Sequence, residues 1–411
     1  MSPAPKPFVI DLGIVTALGS GKKTNLDGLL SGPPPELSHE TIGGKSFRIA
    51  RVPESRRPMD GYPADCRNRV NALLVEAGGQ IASSIEAAAA LYGKGRIAVI
   101  LGSTDNGSEE SLAAVSHRRD SGTFPEGYSL YRQSAELAPD FLASILGVCG
   151  PVMAVSTACA SAATALARAR ELIAANLCDA AVAGGADIVS DSVALGFDSL
   201  EAVSGERCLP FSRNRRGITL GEGAALFLIA RDDLAATAPG AVAAPGESIR
   251  LLGFGEASDA HHLTAPDPEG RGAAAAMRAA LGDSGLEPSG IGYLNLHGTG
   301  TALNDAMESR AVAAVFGPKG VPASSTKGYV GHTLGAAGAV ELGFCCLALS
   351  GLNESRLLPP HAWDGEADED LPPLDLAGPG RRAESISACM SVSFAFGGVD
   401  VAVVIGKEAK R

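Results

Sequence analysis

With 411 residues, of which 45% are hydrophobic and only 5% aromatic, the chain exceeds what one hydrophobic core usually supports, so two domains or one large α/β unit are expected. A formal net charge of -12 removes the broad basic field that nonspecific nucleic-acid binding needs, which excludes nucleic acid as a partner. Eight cysteines without a CxxC pair, in a chain this long, read as reduced thiols and exclude a zinc ribbon or a disulfide framework.

Near the start, Asp11 interrupts the apolar run Phe8-Val9-Ile10 before it reaches the length of a signal-peptide core. The stretch from Leu342 to Leu352, bounded by Glu341 and Asn353, is too short to span a bilayer. A cytoplasmic protein with no membrane span is expected. Pro33 to Pro35 and Pro359 to Pro373 read as surface loops. Arg96 to Gly102 (RIAVILG) reads as a buried strand and Ser161 to Asn176 as a helix, and the alternation of such segments predicts a mainly parallel α/β architecture. Asp232 to Glu247, rich in Ala, Pro and Gly, reads as a connection between two halves, residues 1–248 and 249–411. Each half has a small-residue helix with a reactive side chain at its start, Cys159 in ACASAATALARA and His332 in GHTLGAAGAVEL, which reads as a duplication.

Val152 to Val155 reads as a strand that turns at Ser156 to Ala162 directly into a helix, so Cys159 sits where unpaired N–H groups and the helix dipole favour a thiolate. The segment fits a nucleophile and an inert buried cysteine equally well. Asn295 to Thr301 (NLHGTGT) reads as a strand end followed by a small-residue loop, with His297 either functional or hydrogen-bonded in a turn. Lys327, beside the apolar helix that follows His332, needs a carboxylate, and Glu341 is the candidate; His332 alone fits a helix cap as well. Gly397 and Gly398 either expose N–H groups to an oxyanion, with Phe396 as an apolar gate, or form a plain β-turn. His261 and His262 beside Asp259 are assigned no metal, because consecutive histidines rarely chelate one ion.

In the order TACAS, HGTGT, K-x4-H-x2-GAAG and FGG, these motifs resemble the condensing enzymes of fatty-acid and polyketide synthesis, the β-ketoacyl-acyl-carrier-protein synthases of the Cys-His-His type. The resemblance extends through Pro210-Phe211-Ser212, Gly221 to Ala224, Ser258 to His262, and Asn304-Asp305 with Glu308, covering nearly the whole chain. It implies a thiolase-like duplicated five-layer αβαβα fold and decarboxylating condensation of a Cys-bound acyl group with malonyl-acyl-carrier protein. Cys159 would accept the acyl group, and its N–H with that of Phe396 would form the oxyanion hole. His297 and His332 would hold the malonyl thioester carbonyl, Lys327 and Glu341 would order the histidines, and Thr299 and Thr301 would bind the phosphopantetheine arm. That arm belongs to the carrier protein, so no cofactor of the chain's own is implied.

The resemblance also implies a homodimer, or a heterodimer with a chain-length-factor-like subunit. Acyl-carrier proteins of these pathways are acidic, so docking on this acidic chain requires a basic patch, for which Arg56 with Arg57 and Arg213 with Arg215 and Arg216 are the candidates. The glycine usual before the gating phenylalanine is Ala395 here, and the usual asparagine after the glycine pair is Asp400. Thr104, Asp105 and Asn106 stand where straight-chain enzymes have apolar or glycine residues, which points to a polar or aromatic acyl head group. With LPPHAWD at Leu358 to Asp364, these features resemble the ketosynthases of aryl-polyene clusters. A thiolase would need a second cysteine in the C-terminal loop, where Cys389 does not fall, and a noncatalytic chain-length subunit would lack the nucleophile.

Overall fold

The computed structural model describes residues 6–53, 59–105, 107–234, 237–318, 320–383 and 385–409. Two antiparallel strands, Phe8–Thr16 and Glu247–Ser258, meet at Phe8 opposite Arg250 and Val9 opposite Ile249, and form the seam of the main sheet. Outward from the seam in the first half come Gly223–Ala230, Ala180–Asp187, Ile97–Gly102 and Val152–Val155. The second half continues with Val399–Ala409, Ala388–Ala395, Tyr293–Asn295 and Ala323–Ser324. Counted along its own stretch of chain, each half runs first, fifth, fourth, second, third strand from the seam, so the fold is a duplication.

Helices separate these half-sheets into layers. Arg69–Tyr92 and Leu137–Leu146 cover the outside of the first half, and Arg271–Ser284 and Ala302–Phe316 that of the second. Ser161–Ala174 and Ala337–Leu349 lie between them. The pleat explains the strand sequences: Ala98 and Ile100 face the central core, while Ile97, Val99 and Leu101 face the outer one, so a strand buried on both faces must be apolar throughout. The central helix AGAVELGFCCLAL is buried all round for the same reason. A Cβ at Gly338 would lie 2.8 Å from the Ala163 Cβ, so glycine lets the two central helices touch.

The predicted strand begins one residue later, at Ile97, and the predicted helix stops at Ala174, with Asn176 in the left-handed region closing its end. The proline-rich stretch after Pro359 is not wholly a surface loop. His361 is buried, its Nδ1 accepts the Ser325 N–H at 3.1 Å, and its Nε2–H donates to the Pro210 carbonyl at 3.0 Å. Burial lowers its pKa to about 4, so it is a neutral staple between three segments.

Candidate active site

The strand Val152–Val155 leaves the sheet through a tight turn in which Ala158 adopts φ 48°. A non-glycine residue in the left-handed region is strained, and such strain is commonly held at functional turns. Ser161 fastens the turn: its hydroxyl donates to the Ala158 carbonyl at 2.6 Å and accepts the Thr157 N–H at 2.9 Å. Cys159 follows at 8% exposure, one residue before the helix cap. The expectation that the helix start yields a resting thiolate does not hold. Burial pushes the thiol up to about 11, outweighing the Lys327 ammonium and the Phe396 amide, which both pull it down.

His297 leaves the strand Tyr293–Asn295 on a loop fixed by two buried carboxylates. Glu308 accepts the N–H groups of His297 and Gly298, each at 2.7 Å, and Asp305 accepts those of Phe211 at 2.8 Å and Gly300 at 3.2 Å. Burial raises both carboxyls, Asp305 to about 6, while the donated hydrogen bonds oppose it. The sequence marked these residues as part of a motif without a role, and their role is to hold this loop. Lys327 forms the expected buried ion pair with Glu341 and also donates to the His297 carbonyl. Its Nζ lies 3.4 Å from His297 Nδ1.

The two imidazole rings stand at 88° with centroids 5.3 Å apart. His332 Nε2 is 3.1 Å from Cys159 Sγ, while its Nδ1 accepts the Leu334 N–H at 3.2 Å. Both histidines are held well below the ordinary histidine pKa, first by burial and then by Lys327, so both are neutral. A donor faces Nδ1 in each ring, and each proton therefore sits on Nε2. The Cys159 sulfur and one nitrogen of each histidine lie within 4.8 Å of one another, spacing that a metal could use. However, Nε2–H groups offer no lone pair toward the sulfur, and Lys327 repels a cation. The same arrangement suits a developing oxyanion.

These side chains open into a cavity of about 420 Å³ that Thr299 and Thr301 also line, their hydroxyls 2.9 Å apart. Phe396, 38% exposed, stacks on Phe197 at 5.9 Å, and its amide points at the Cys159 sulfur. Gly397 and Gly398 do not offer the free N–H groups expected of them: Gly397 donates to the Leu263 carbonyl at 2.8 Å and Gly398 to that of Ala395 at 3.0 Å. His261 and His262 are exposed; His262 reaches the cavity wall, with Nδ1 accepting the Thr264 and Ala265 amides.

Asp105 does not line the cavity. Its carboxylate accepts the Gly107 N–H at 2.8 Å and the Ser108 hydroxyl at 2.9 Å, anchoring the helix Ser108–Ser121, and is therefore not the unpaired group expected. Asn106, Arg56 and Arg57 lie outside the described residues. Arg213 pairs with Glu366 at the surface, Arg215 is largely buried against Asp368, and Arg216 lies exposed at the cavity rim. Asp187 escaped the sequence reading. Fully buried, it accepts the Thr104 N–H and the Gly335 N–H, which joins the 103–105 turn to the segment after His332. A carboxylate ending the apolar run AAVAGGAD was its only signal.

Residues 58–235 match the family model for the N-terminal domain of β-ketoacyl synthases and residues 249–362 that for the C-terminal domain. The chain belongs to the β-ketoacyl synthase family and is a condensing enzyme. Nodulation protein E of Rhizobium meliloti (strain 1021) is 36% identical over 284 residues, 68% of either chain. The 3-oxoacyl-[acyl-carrier-protein] synthase 2 of Staphylococcus aureus (strain COL) is 35% identical over 275 residues, 64% of this chain and 63% of the relative. Among solved structures, the ketosynthase ApeO, in complex with its chain length factor ApeC from Xenorhabdus doucetiae, is 37% identical with a TM-score of 0.87 and 98% coverage of both chains. The ishigamide ketosynthase/chain length factor is 27% identical with a TM-score of 0.84, covering 98% of this chain and 99% of that one.

Proposed function

We propose that the chain joins an acyl group carried on Cys159 to a malonyl group delivered on acyl-carrier protein, in polyketide-type synthesis. The observation that carries this reading is the contact of Cys159 Sγ with His332 Nε2 at 3.1 Å, with the His297 ring beside it. In the first step the Cys159 sulfur attacks the incoming thioester carbonyl, the C–S bond to pantetheine breaks, and the thiol proton ends on the departing pantetheine sulfur. Cys159 and Phe396 amides receive the oxyanion of that step. In the second, the malonyl thioester oxygen takes the two Nε2–H donors. Its carboxylate leaves as carbon dioxide, and the electron pair forms the enolate those donors stabilise. The enolate carbon then attacks the Cys159 thioester, held in the same dry cavity, and the sulfur leaves and regains a proton from water.

Thr299 and Thr301 serve the phosphopantetheine arm, and the two halves, which meet near residues 248 and 249 at the start of the strand Glu247–Ser258, each supply one wall of the site. The partner edge is Val152–Val155, which ends the first half-sheet with Met153 38% exposed. The likeness to ApeO, which sits with a chain length factor, supports pairing with such a subunit over self-pairing. Cys159 separates this chain from a noncatalytic partner. No described helix is long and apolar enough to cross a membrane, and the eight free cysteines support residence in a reducing cytoplasm. Incubation with an acyl-carrier thioester, followed by peptide mass mapping, tests the assignment: the acyl mass belongs on the Cys159 peptide and disappears in Cys159→Ala. An acylated alanine variant disproves it.

A further inference from the structure

Behind the Phe396 turn lies a carboxyl pair with no part in the chemistry above. Asp259 follows the strand Glu247–Ser258, and Asp400 lies one residue into the strand Val399–Ala409, just beyond Gly397-Gly398. Both line the cavity, and Asp400 is 1% exposed. Asp259 Oδ2 accepts the Asp267 N–H at 2.9 Å, but Asp259 Oδ1 and Asp400 Oδ2 are buried without a donor. A Cβ added at Gly272 would lie 2.5 Å from the first and 2.3 Å from the second, so the two oxygens crowd a single point that only glycine leaves open. The turn itself is tied to the same loop, with the Asp259 N–H donating to the Gly398 carbonyl at 2.8 Å.

We propose that Asp400 is a positioning residue that shares one proton with Asp259, and that this hydrogen bond holds the Phe396–Gly398 turn so that the Phe396 amide stays aimed at the Cys159 sulfur. The inference rests on the acyl-enzyme reading of Cys159. Two ionised carboxylates at this separation repel, and one proton turns the repulsion into a hydrogen bond. Burial, then the charge of Asp259, raises Asp400 to about 8. Asp267 adds to the negative field, and its own partner is Arg271, which is therefore committed elsewhere. His261 and His262 of the same loop are exposed, and Glu256 of the preceding strand is paired with Arg168.

The sign follows from proton binding. The closed turn holds a proton that an opened, solvated pair would release above the ordinary carboxylate range, so closure is favoured at low pH and lost as pH rises through about 8. In the wild type, condensation falls about tenfold per pH unit above that point, the slope of a single proton loss. Asp400→Asn, whose amide can donate to the Asp259 carboxylate at any pH, rescues activity and removes this alkaline limb. Asp400→Leu, which cannot donate, runs about 100-fold below the wild type at pH 7, the scale of one oxyanion donor, and lacks the alkaline limb.

A second readout does not depend on condensation. The rate of Cys159 alkylation by iodoacetamide, taken as the ratio of wild type to Asp400→Asn, removes the part of the thiol's titration that the two enzymes share. It should be flat below pH 7 and change several-fold across pH 8 as the wild-type turn opens, because opening bares the sulfur and withdraws the amide that pulls its pKa down. A flat ratio throughout, an unchanged alkaline limb in the asparagine variant, or an asparagine variant as impaired at pH 7 as the leucine one overturns the proposal. If the leucine variant does not fold, the asparagine comparison decides alone. An enzyme that shows the alkylation step but no condensation overturns the acyl-transfer reading and leaves the pair standing.

Discussion

The turn that carries Cys159 and the one that carries His332 occupy matching places, each between the third strand of its half and a central helix, yet they are supported in opposite ways. Both turns hold one left-handed non-glycine residue, Ala158 with φ 48° and Leu334 with φ 54°, but around Cys159 the chain neighbours are the small apolar Ala158, Ala160 and Ala162. Around the histidines stand buried ionisable groups, Lys327 paired with Glu341, and Glu308 and Asp305 beneath the His297 loop. Duplication supplied two equivalent positions. One became a dry, shape-defined seat for a soft sulfur, and the other a polar seat in which fixed donors set the tautomer of two imidazoles.

The contrast predicts that the second half tolerates loss of a charge far less well than the first tolerates a change of shape. Lys327→Met leaves Glu341 buried without its ammonium and should cost about 3–5 kcal/mol of stability, read by denaturant unfolding. A loss below about 1 kcal/mol would remove the contrast between the halves. Next in size, His297→Ala or His332→Ala should each cost about 2–4 kcal/mol of transition-state stabilisation in carbon dioxide release from malonyl-carrier protein. Acylation of Cys159 should persist in both variants, because neither Nε2–H is free to act as its base. Equal loss of acylation and decarboxylation would show that the two halves do not divide the work.

Smaller effects sharpen the boundary of the site. Asp105→Ala removes a helix anchor and should cost about 1 kcal/mol of stability. Because Asp105 lies away from the cavity, the preference between a hydroxyaryl and a saturated primer should not change, and a shifted preference in a competition assay would restore Asp105 to the acyl pocket. Smallest, Arg213→Glu should change stability by less than about 1 kcal/mol, since Arg213 and Glu366 are exposed. It should slow turnover of carrier-bound donors while leaving a small thioester donor unaffected, and equal slowing of both would disprove the docking role.

Motif order made the chemistry legible: Cys159, His297, His332, Lys327 and Glu341 converge as the sequence implied. What the sequence could not give was orientation. Nothing in FGG reveals that the amides of Gly397 and Gly398 are spent on carbonyls while that of Phe396 faces the sulfur. Asp105 misled for the same reason, because a polar residue in a pocket-forming stretch reads the same whether it points at a ligand or ties down the turn before the next helix. Nor does composition balance burial against a helix dipole at Cys159; that comparison needs the packed surroundings, and there burial wins. Asp187 and Glu308 stayed without roles because their partners are backbone amides, which every sequence supplies equally.

The arginines at the mouth of the cavity carry one more consequence. Arg213 and Arg215 are already matched to Glu366 and Asp368, on a segment tied to theirs by the Arg213 N–H donating to the Glu366 carbonyl at 3.1 Å. Apart from exposed Arg216, an acidic visitor at this rim thus meets arginines whose charge is already matched, and it engages those two by trading partners rather than by falling into an open field. Added salt weakens the bond being given up as well as the one being formed. Association should therefore depend on ionic strength less steeply than a count of the arginines would forecast, and a Glu366→Gln enzyme, with its trade already half made, should show the steeper dependence.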